Sequence, residues 1–235
     1  MSATAPAIEI RDLYKVYGLH PKQVLDQIHA NPSAPVDSGH VLALSDINLS
    51  IAPGKICVIM GLSGSGKSTL ARGLERRLFA LGCRTVLLDG DALRRGLSND
   101  LGFSPADRME NIRRASEVAR LFYENGCLVL CAFVSPFRRD RAFARQGIGR
   151  GRFFEIHVDC PIEECRRRDT KGLYAAARAG ALGDLTGVGQ AYEPPQAPEW
   201  VARTAERTPE AVVEELVALL RARGLLPAAR TPRAR

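Results

Sequence analysis

Four apolar runs in the second part of the chain have the length of buried strands and few polar interruptions. They are Ile56–Met60, Thr85–Leu88, Cys127–Phe133 and Phe153–Val158. Runs of this kind are typical of central strands that are covered on both faces. Stretches with apolar residues at helical spacing stand between them, and alternation of strands with helices predicts a parallel sheet with helices on both faces, a three-layer α/β/α domain.

Three predicted helices have recognisable ends. The first runs from Lys67 to about Leu81, before Gly82. The second begins at Ser104-Pro105, a capping residue followed by proline at the first helical position, and ends at Asn125-Gly126. Its predicted buried face consists of Met109, Ile112, Ser116, Ala119 and Phe122/Tyr123. The last helix runs from Thr208-Pro209 to about Arg223-Gly224.

The first part of the chain has a different pattern. Ile8–Tyr17 and Leu42–Ile51 predict two strands, the second of them half-exposed, and Pro53-Gly54 predicts a turn. Residues 18–40 contain three prolines and little periodicity, so no element is predicted there. We therefore divide the chain into an N-terminal segment (1–54), an α/β domain (55–225) and an Arg/Pro-rich tail (226–235) that we expect to be disordered.

Composition narrows the class of protein. Apolar residues make up 46% and charged residues 25% of the 235 positions, as in globular proteins that bury a core. No apolar run approaches the roughly 18 residues of a membrane-spanning helix, and the N-terminus lacks the layout of a signal peptide. We expect a soluble cytoplasmic protein that does not bind membranes. The six cysteines form no C-x-x-C pair, which favours buried thiols over a zinc site or disulfides.

The net charge of +7 raises the possibility of nucleic acid binding. The arginines, however, are spread along the chain and no basic stripe alternates with aromatic residues. A small polyanionic ligand explains a positive cleft equally well. We therefore expect no nucleic acid partner.

The strongest motif is Gly61–Ser68, which matches G-x-x-x-x-G-K-[ST] between a predicted strand and a predicted helix. Such a loop turns backbone N–H groups toward phosphate oxygens, with a lysine (Lys67) on the β- and γ-phosphates and a hydroxyl (Ser68) on Mg²⁺. It predicts a P-loop NTPase-type sheet that binds ATP and Mg²⁺. The predicted ATP-binding residues are Gly61, Leu62, Ser63, Gly64, Ser65, Gly66, Lys67, Ser68 and Thr69.

Residues downstream of the loop predict the rest of a phosphotransfer site. Asp89 and Asp91 follow a buried strand and face the loop, where a carboxylate can hold Mg²⁺ through water or accept the proton of an attacking hydroxyl. One of the two could instead cap the next helix. Arg108 and Asn111 lie one turn apart near a helix N-terminus, which favours an anion site. Arg113 and Arg114 either extend that site or form a solvated face.

Different parts of the chain resemble two protein families. Ile8–Gly18 and Leu44–Gly61 resemble the first strands of an ABC transporter ATPase of the glycine betaine/proline importer type, which implies an adenine-stacking aromatic near Tyr17. The resemblance ends after about 65 residues. Neither an L-S-G-G-Q signature nor an apolar run ending in Asp-Glu follows Ser68.

From Gly61 onward the chain resembles adenylyl-sulfate kinase (APS kinase). The motifs that carry the resemblance are Gly61–Thr69, Leu88–Asp91, Arg94, Asp100–Ser104, Asp107–Arg114, Ala132–Phe137, Arg168–Tyr174, Thr186-Gly187 and Tyr192–Pro194. The resemblance implies ATP-dependent phosphorylation of adenosine 5′-phosphosulfate (APS) at its 3′-hydroxyl, which yields 3′-phosphoadenylyl sulfate (PAPS) and ADP. It also implies a homodimer.

The same resemblance assigns roles to residues. The catalytic set is Lys67, Asp89, Asp91 and Ser135, and the APS-binding set is Asp89, Asp91, Arg94, Phe103, Arg108, Asn111, Val134, Ser135, Lys171 and Leu185. Ser135 corresponds to a phosphoserine of the family, although we favour direct in-line transfer because phosphoryl transfer depends mainly on positioning. Phe103 either stacks on the acceptor adenine or packs in the core. Cys165–Lys171 resembles the mobile lid of small-molecule kinases, with arginines over the triphosphate and Lys171 on the acceptor.

Four positions depart from the family pattern. Leu185 replaces a phenylalanine that would form half of an adenine sandwich, and Ala92, Thr170 and Gly189 replace asparagine, proline and aspartate. Three alternatives stay open: a kinase for another small acceptor, which Leu185 suggests, an ABC-type transport subunit, which residues 8–61 suggest, and a nucleotide-binding or regulatory module without transfer.

Overall fold

A computed structural model describes residues 8–31, 39–51, 54–149, 151–182 and 185–226, of which 8–10 and 44–51 are described by their backbone alone. Chain contacts divide the protein into two compact units, Met1–Pro53 and Gly54–Arg235. Residues 227–235 of the predicted disordered tail and Pro53 of the predicted turn lie outside the described residues.

The N-terminal unit contains the two predicted strands, β1 (Ile8–Tyr17) and β2 (Val41–Ile51), which pair antiparallel. It also contains a helix that the sequence did not predict, α1 (Pro21–Ala30), which buries Val24 and Ile28. Only these two positions of the helix are buried, so its apolar stripe is too short to stand out as a helical period.

The second unit is built on a parallel sheet, as predicted. Its strands in the described residues are β3 (Lys55–Met60), β4 (Thr85–Asp89), β5 (Leu128–Phe133), β6 (Phe153–Asp159) and β7 (Trp200–Arg203), in the spatial order β4-β5-β3-β6-β7. The prediction of a fully buried strand at Thr85–Leu88 was wrong for its first three residues, which are half-buried because β4 is an edge strand. Strand β7 was missed, since four residues with one buried side chain leave no apolar run.

Helices cover both faces of this sheet and complete the predicted three layers. In the described part of the unit they are α2 (Lys67–Ala80), α3 (Gly90–Arg94), α4 (Pro105–Glu124), α5 (Arg138–Ile148), α6 (Ile162–Arg168), α7 (Leu173–Arg178) and α8 (Pro209–Ala222). One apolar cluster packs α2 and α8 on the sheet, and a second packs α4 and α5 on it. Helix α5 was not predicted, because its arginines hide the buried pair Ala144 and Ile148.

The predicted helix starts are confirmed by their caps. The hydroxyl oxygen of Ser104 accepts a hydrogen bond from the backbone N–H of Asp107 at 3.2 Å, and Thr208 caps α8 in the same way. The predicted face of α4 was partly wrong, however. Phe122 is exposed, whereas Arg108 and Asn111 are buried. The two polar side chains are buried because the first turns of α4 line the cleft described below.

Two other expectations can be compared with the structure. All six cysteines lie in the described residues, and each is buried and free of a disulfide, as expected for structural thiols. Burial raises the pKa of the Cys57 and Cys131 thiols to about 12, so neither is a reactive thiolate. In the part of the chain that the structure describes, no helix is long and apolar enough to cross a membrane.

Candidate functional site

The carboxyl ends of the parallel strands open onto a cleft of about 660 Å³. The P-loop follows β3, Asp89 ends β4, Val134 and Ser135 follow β5, and Thr204 follows β7. In parallel α/β sheets this edge is where ligands bind, because several loops converge on it. The cleft is therefore the candidate site.

The P-loop has the backbone that its glycines permit. Gly64 and Gly66 have φ angles of 78° and 95°, in the left-handed region that favours glycine. A Cβ at Gly64 would also lie 2.7 Å from the carbonyl oxygen of Cys165, so a larger residue would force the loop away from α6. Gly66 stands immediately before α2 and provides no side-chain cap, and the first N–H groups of a helix have no partner within the helix. The loop is thus shaped to receive an anion.

Lys67 lies within this loop. Its Nζ donates a hydrogen bond to the carbonyl oxygen of Leu62 at 2.7 Å. Burial, followed by the positive charge of Lys171, lowers the pKa of Lys67 from 10.5 to about 8. The neighbouring negative charges do not fully offset the cost of burying this ammonium. A bound phosphate would add the negative charge that is needed.

Asp89 connects the P-loop to the next strand. Its Oδ2 accepts a hydrogen bond from the hydroxyl of Ser68 at 2.8 Å, and its Oδ1 accepts one from the backbone N–H of Asp91 at 2.9 Å. Burial raises the pKa of Asp89, but the hydrogen bonds from Ser68, Asp91 and Ala92 outweigh it and hold the pKa below its usual value. Asp89 is therefore both the cap of α3 and a carboxylate beside the P-loop hydroxyl.

Asp91 has a different environment. Its carboxylate forms an ion pair with Lys171, which comes from the segment between α6 and α7, and both side chains are more than half exposed. An exposed pair of this kind contributes little to stability and can be exchanged for contacts with a ligand. The pair brings the predicted lid lysine to the predicted acceptor carboxylate.

The aromatic ring of Phe103 lies at the mouth of the cleft. It is 52% exposed, so the alternative that it packs in the core is wrong. The guanidinium of Arg94 lies 4.4 Å from the ring centroid and that of Arg108 lies 5.3 Å from it. Arg94 also donates to the carbonyl oxygens of Leu101 and Gly102 at 3.2 and 2.7 Å. These contacts fix an exposed ring beside two cations.

Asn111 provides a buried polar atom that calls for a ligand. It is 5% exposed and lines the cleft, yet its Oδ1 has no hydrogen-bond partner among the described residues. A buried unpaired oxygen costs free energy unless something donates to it. Arg113 and Arg114 do not line the cleft. They pair instead with Glu110 and, in the case of Arg114, also with Asp100.

Leu185 is half-buried at the cleft wall and packs against a small cluster of Cys160, Cys165 and Tyr174. The hydroxyl of Tyr174 donates to the carbonyl oxygen of Ser63 at 2.9 Å, which links this cluster to the P-loop. Gly187, two residues after Leu185, lies against the side chain of Leu62. Contacts with the P-loop therefore help to set the position of Leu185.

One wall of the cleft was not predicted. Thr204, Arg207, Pro209 and Val212 line it, and the Thr204 hydroxyl donates to the carbonyl oxygen of Ser65 at 2.7 Å. Arg168 reaches the same wall, with a hydrogen bond of 2.8 Å from its Nη2 to the carbonyl oxygen of Thr204. In the sequence, Thr208-Pro209 indicated only the start of a helix. Because strand β7 was missed, the sequence did not indicate that this helix starts beside the cleft.

Most of the predicted site residues come together in this cleft. Of the nine predicted P-loop residues, Gly61, Leu62 and Ser65 do not line it, whereas the other six do. All ten predicted APS-binding residues line it. The structure thus brings these side chains together, and their roles stay predictions.

The cleft is electropositive. Its lining includes six cationic side chains (Lys67, Arg94, Arg108, Arg168, Lys171 and Arg207) and two carboxylates (Asp89 and Asp91). Among the described residues no group of three or more His, Cys, Asp or Glu side chains is arranged to hold a metal ion. The charge balance suits ligands with several negative charges.

Comparisons with known proteins agree with this geometry. The family model of adenylylsulphate kinase matches residues 53–203. The adenylyl-sulfate kinase of Geotalea daltonii is 51% identical over 166 residues, which cover 71% of this chain and 82% of that protein. The bifunctional enzyme NodQ of Azospirillum brasilense is 54% identical over 168 residues, but the chain spans only 27% of its length.

Among solved structures, the Mycobacterium tuberculosis APS kinase CysC in complex with AMPPNP and APS superposes with a TM-score of 0.70. It is 45% identical, and the match covers 72% of this chain and 98% of that chain. The family model spans more than half of the sequence, and the match to the Geotalea protein covers most of a complete kinase. The chain therefore belongs to the adenylylsulphate kinase family.

Proposed function

We propose that this protein transfers the γ-phosphate of ATP to the 3′-hydroxyl of APS and releases PAPS and ADP, as a step of sulfate activation. The observation that carries the proposal is that the P-loop and the acceptor residues line one continuous cleft. In the transfer, the 3′-oxygen forms a bond to the γ-phosphorus while the bond from phosphorus to the bridging oxygen of ADP breaks. The hydroxyl proton leaves to a carboxylate or to water.

The P-loop side would hold ATP. Lys67 would exchange its hydrogen bond to Leu62 for the β- and γ-phosphates, and the N-terminus of α2 would add its N–H groups. Ser68 and Asp89 fit a Mg²⁺ ion, because Mg²⁺ prefers one or two protein oxygens with phosphates and water completing its shell. When bound, Mg²⁺ would neutralise charge on the phosphates. The nucleoside part of ATP would lie against the cleft wall formed by Thr204, Arg207 and Pro209.

The other end of the cleft would hold APS. Phe103 offers a ring for the adenine, while Arg108 beside it offers a guanidinium for the phosphosulfate. The unpaired Oδ1 of Asn111 can accept a hydrogen bond from the acceptor. Leu185 would contact the adenine with its aliphatic side chain.

We infer separate roles for the two aspartates. Asp89 accepts from the Ser68 hydroxyl, so it would act at the phosphate side and orient the attacking hydroxyl. Asp91 would release Lys171 to the acceptor as the lid segment closes. Direct transfer needs no phosphoserine, and Ser135, which is 4% exposed, would position the acceptor.

The likeness of the N-terminal segment to ABC transporter ATPases stays a prediction. A homodimer is likewise a proposal that rests on the family resemblance. Sedimentation of the purified chain would measure its oligomeric state.

The function is tested by mixing the purified protein with ATP, Mg²⁺ and APS and by measuring ADP and PAPS. We expect ADP release that depends on APS, with one PAPS formed for each ADP. ADP release that is unchanged when saturating APS is added would overturn the proposal. Shikimate, gluconate and adenosine serve as control acceptors, and transfer to one of them alone would instead identify a kinase for another acceptor.

ATP affinity is expected to fall as the pH rises through about 8. In the free protein Lys67 has a pKa of about 8, and bound phosphates would raise that pKa. Below pH 8 Lys67 is charged in both states, whereas above pH 8 binding must first take up a proton, so the dissociation constant rises by up to about tenfold per pH unit. Calorimetry with AMPPNP in two buffers of different ionisation enthalpy measures that proton uptake. Equal apparent enthalpies at pH 9 in the two buffers would contradict the prediction.

Leu185→Phe is expected to lower the KM for APS. An aromatic ring would complete a stacking pair with Phe103, and base–aromatic stacking contributes about 1–3 kcal/mol. The KM for ATP should change less than about twofold, because Leu185 packs against Cys160, Cys165 and Tyr174 rather than on Lys67 or Ser68. Val188→Phe is the control, since Val188 is exposed in the same loop and does not line the cleft. An unchanged KM for APS in Leu185→Phe would show that this side of the cleft does not contact the adenine.

A further inference from the structure

The turn after β5 holds an unusual backbone conformation in the wall of the cleft. Ser135 has a φ of 41°, and among the described non-glycine residues only Asp12, in the N-terminal unit, also has a φ in the left-handed region above about 20°. Ser135 also precedes Pro136, and a residue before proline is already restricted in its backbone conformations. Strain of this kind persists only where surrounding contacts determine it. Something outside the turn must therefore hold Ser135.

The side chain of Arg141 contacts this turn. It comes from the second turn of α5, is 4% exposed, and lies behind the cleft wall without lining the cleft. Its Nη1 donates to the carbonyl oxygen of Ser135 at 2.7 Å, and its Nη2 donates to the carbonyl oxygen of Glu193 at 2.7 Å. The planar guanidinium thus joins the turn at Ser135 to the loop at Glu193, which lies 52 residues after Arg141 in the chain.

The second loop is tied to the first by further contacts. The backbone N–H of Glu193 donates to the carbonyl oxygen of Pro136 at 2.9 Å, and the Glu193 carboxylate accepts from the backbone N–H of Arg138 at 2.7 Å. Arg138 in turn donates to the carbonyl oxygen of Pro194 at 2.8 Å. The loop at Glu193 therefore braces the turn at Ser135 from behind.

The charge of Arg141 is balanced within the domain. Its Nε lies 3.2 Å from Oε1 of Glu155 on β6, and Oε2 of Glu155 accepts from Arg145 at 2.9 Å. Arg145 also pairs with Glu199 at 2.6 Å, immediately before β7. A buried guanidinium needs such a carboxylate to offset its desolvation. Arg145 shares the helix and the carboxylate with Arg141 but has no hydrogen bond to either loop among the described contacts, so it is a matched control.

We propose that Arg141 is a positioning residue that holds Ser135 in its left-handed conformation and thereby shapes the wall of the cleft on the acceptor side. The kinetic part of this proposal rests on the proposed function. Arg141 does not line the cleft, and its described polar contacts go to Ser135, Glu193 and Glu155 rather than to the P-loop, so we expect ATP binding to be independent of it. Arg141 acts on acceptor binding through Ser135 and never touches the substrate itself.

The test compares Arg141→Lys with Arg145→Lys. Lysine keeps the charge beside Glu155 in both variants, but at position 141 it cannot donate to both carbonyl oxygens in one plane. We expect Arg141→Lys to raise the KM for APS by about tenfold or more, since a shift of the order of an ångström can cost that much, while the KM for ATP changes less than about twofold. Arg145→Lys weakens the ion pairs to Glu155 and Glu199, so it should lower Tm without separating the two KM values.

Equal rises of both KM values in Arg141→Lys, or a change confined to Tm, would overturn the proposal. If Arg141→Lys does not fold, Arg141→Gln combined with Glu155→Gln removes both charges together and undergoes the same assays.

The conformation of Ser135 gives a readout that does not depend on the acceptor. A crystal structure of Arg141→Lys should have Ser135 at negative φ, whereas Arg145→Lys should keep it near 41°. If the wild-type protein transfers no phosphate to APS, the proposed function fails, and this crystallographic comparison still decides whether Arg141 holds the turn. A positive φ retained in Arg141→Lys would refute the assignment.

Discussion

Lys67→Ala is expected to reduce kcat/KM for phosphate transfer by about 10³-fold or more, in line with the loss of a cation on the transferring phosphoryl group. The substitution removes the cation of the P-loop to which we assign the β- and γ-phosphates. Initial rates of ADP and PAPS formation at varied ATP measure the effect.

Stability should not fall in this variant. Lys67 makes one hydrogen bond, to the carbonyl oxygen of Leu62, and burial disfavours its ammonium. Its removal therefore takes away a desolvated charge, and Tm should stay level or rise. Lys55→Ala is the control, because Lys55 makes a comparable hydrogen bond to the carbonyl oxygen of Gly151 outside the cleft. Activity of Lys67→Ala within about tenfold of wild type would contradict an enzymatic P-loop and favour the alternative of a binding module.

Asp89→Asn is expected to lower kcat by about 10²–10³-fold, the range for a lost acid–base or orienting carboxylate. The amide keeps the shape of the side chain and one oxygen to cap α3, so the fold should survive. The negative charge beside Ser68 disappears, however, and the Mg²⁺ concentration for half-maximal activity should rise. Titrations of kcat with Mg²⁺ measure both effects.

Asp91→Asn is the comparison that separates the two aspartates. Asp91 is exposed and pairs with Lys171, so its loss should raise the KM for APS and leave kcat within about tenfold of wild type. A larger loss of kcat in Asp91→Asn than in Asp89→Asn would reverse the roles that we assign. The choice between the two residues was open in the sequence, since both follow the same strand.

The site was predictable where chemistry depends on local spacing. The P-loop needs glycines and a lysine at set positions within eight residues, and the caps of α4 and α8 need a hydroxyl three residues before an N–H. The P-loop motif and the helix caps are thus both encoded within short stretches of sequence. The ordered motifs likewise indicated the family, which the family model then confirmed.

Long-range placement was less predictable. The wall at Thr204 depends on β7, a four-residue strand that exists because it pairs with β6. From the sequence, Phe103 could either stack on a ligand or pack in the core. Only the structure shows that its ring is exposed at the cleft, next to Arg94 and Arg108. The buried face of α4 was misjudged because a cleft buries polar residues as well as apolar ones.

The sequence by itself determined the three-layer fold, the phosphate loop and the family, because strand and helix periods and motif spacings are properties of short stretches of chain. The tertiary structure alone decided how the separate motifs meet. It places Asp89 on Ser68, Asp91 on Lys171 and Arg141 on Ser135, pairs that are 21, 80 and 6 residues apart. Such contacts depend on where the strands end in the sheet and on which direction each loop then takes, and no local pattern records either one.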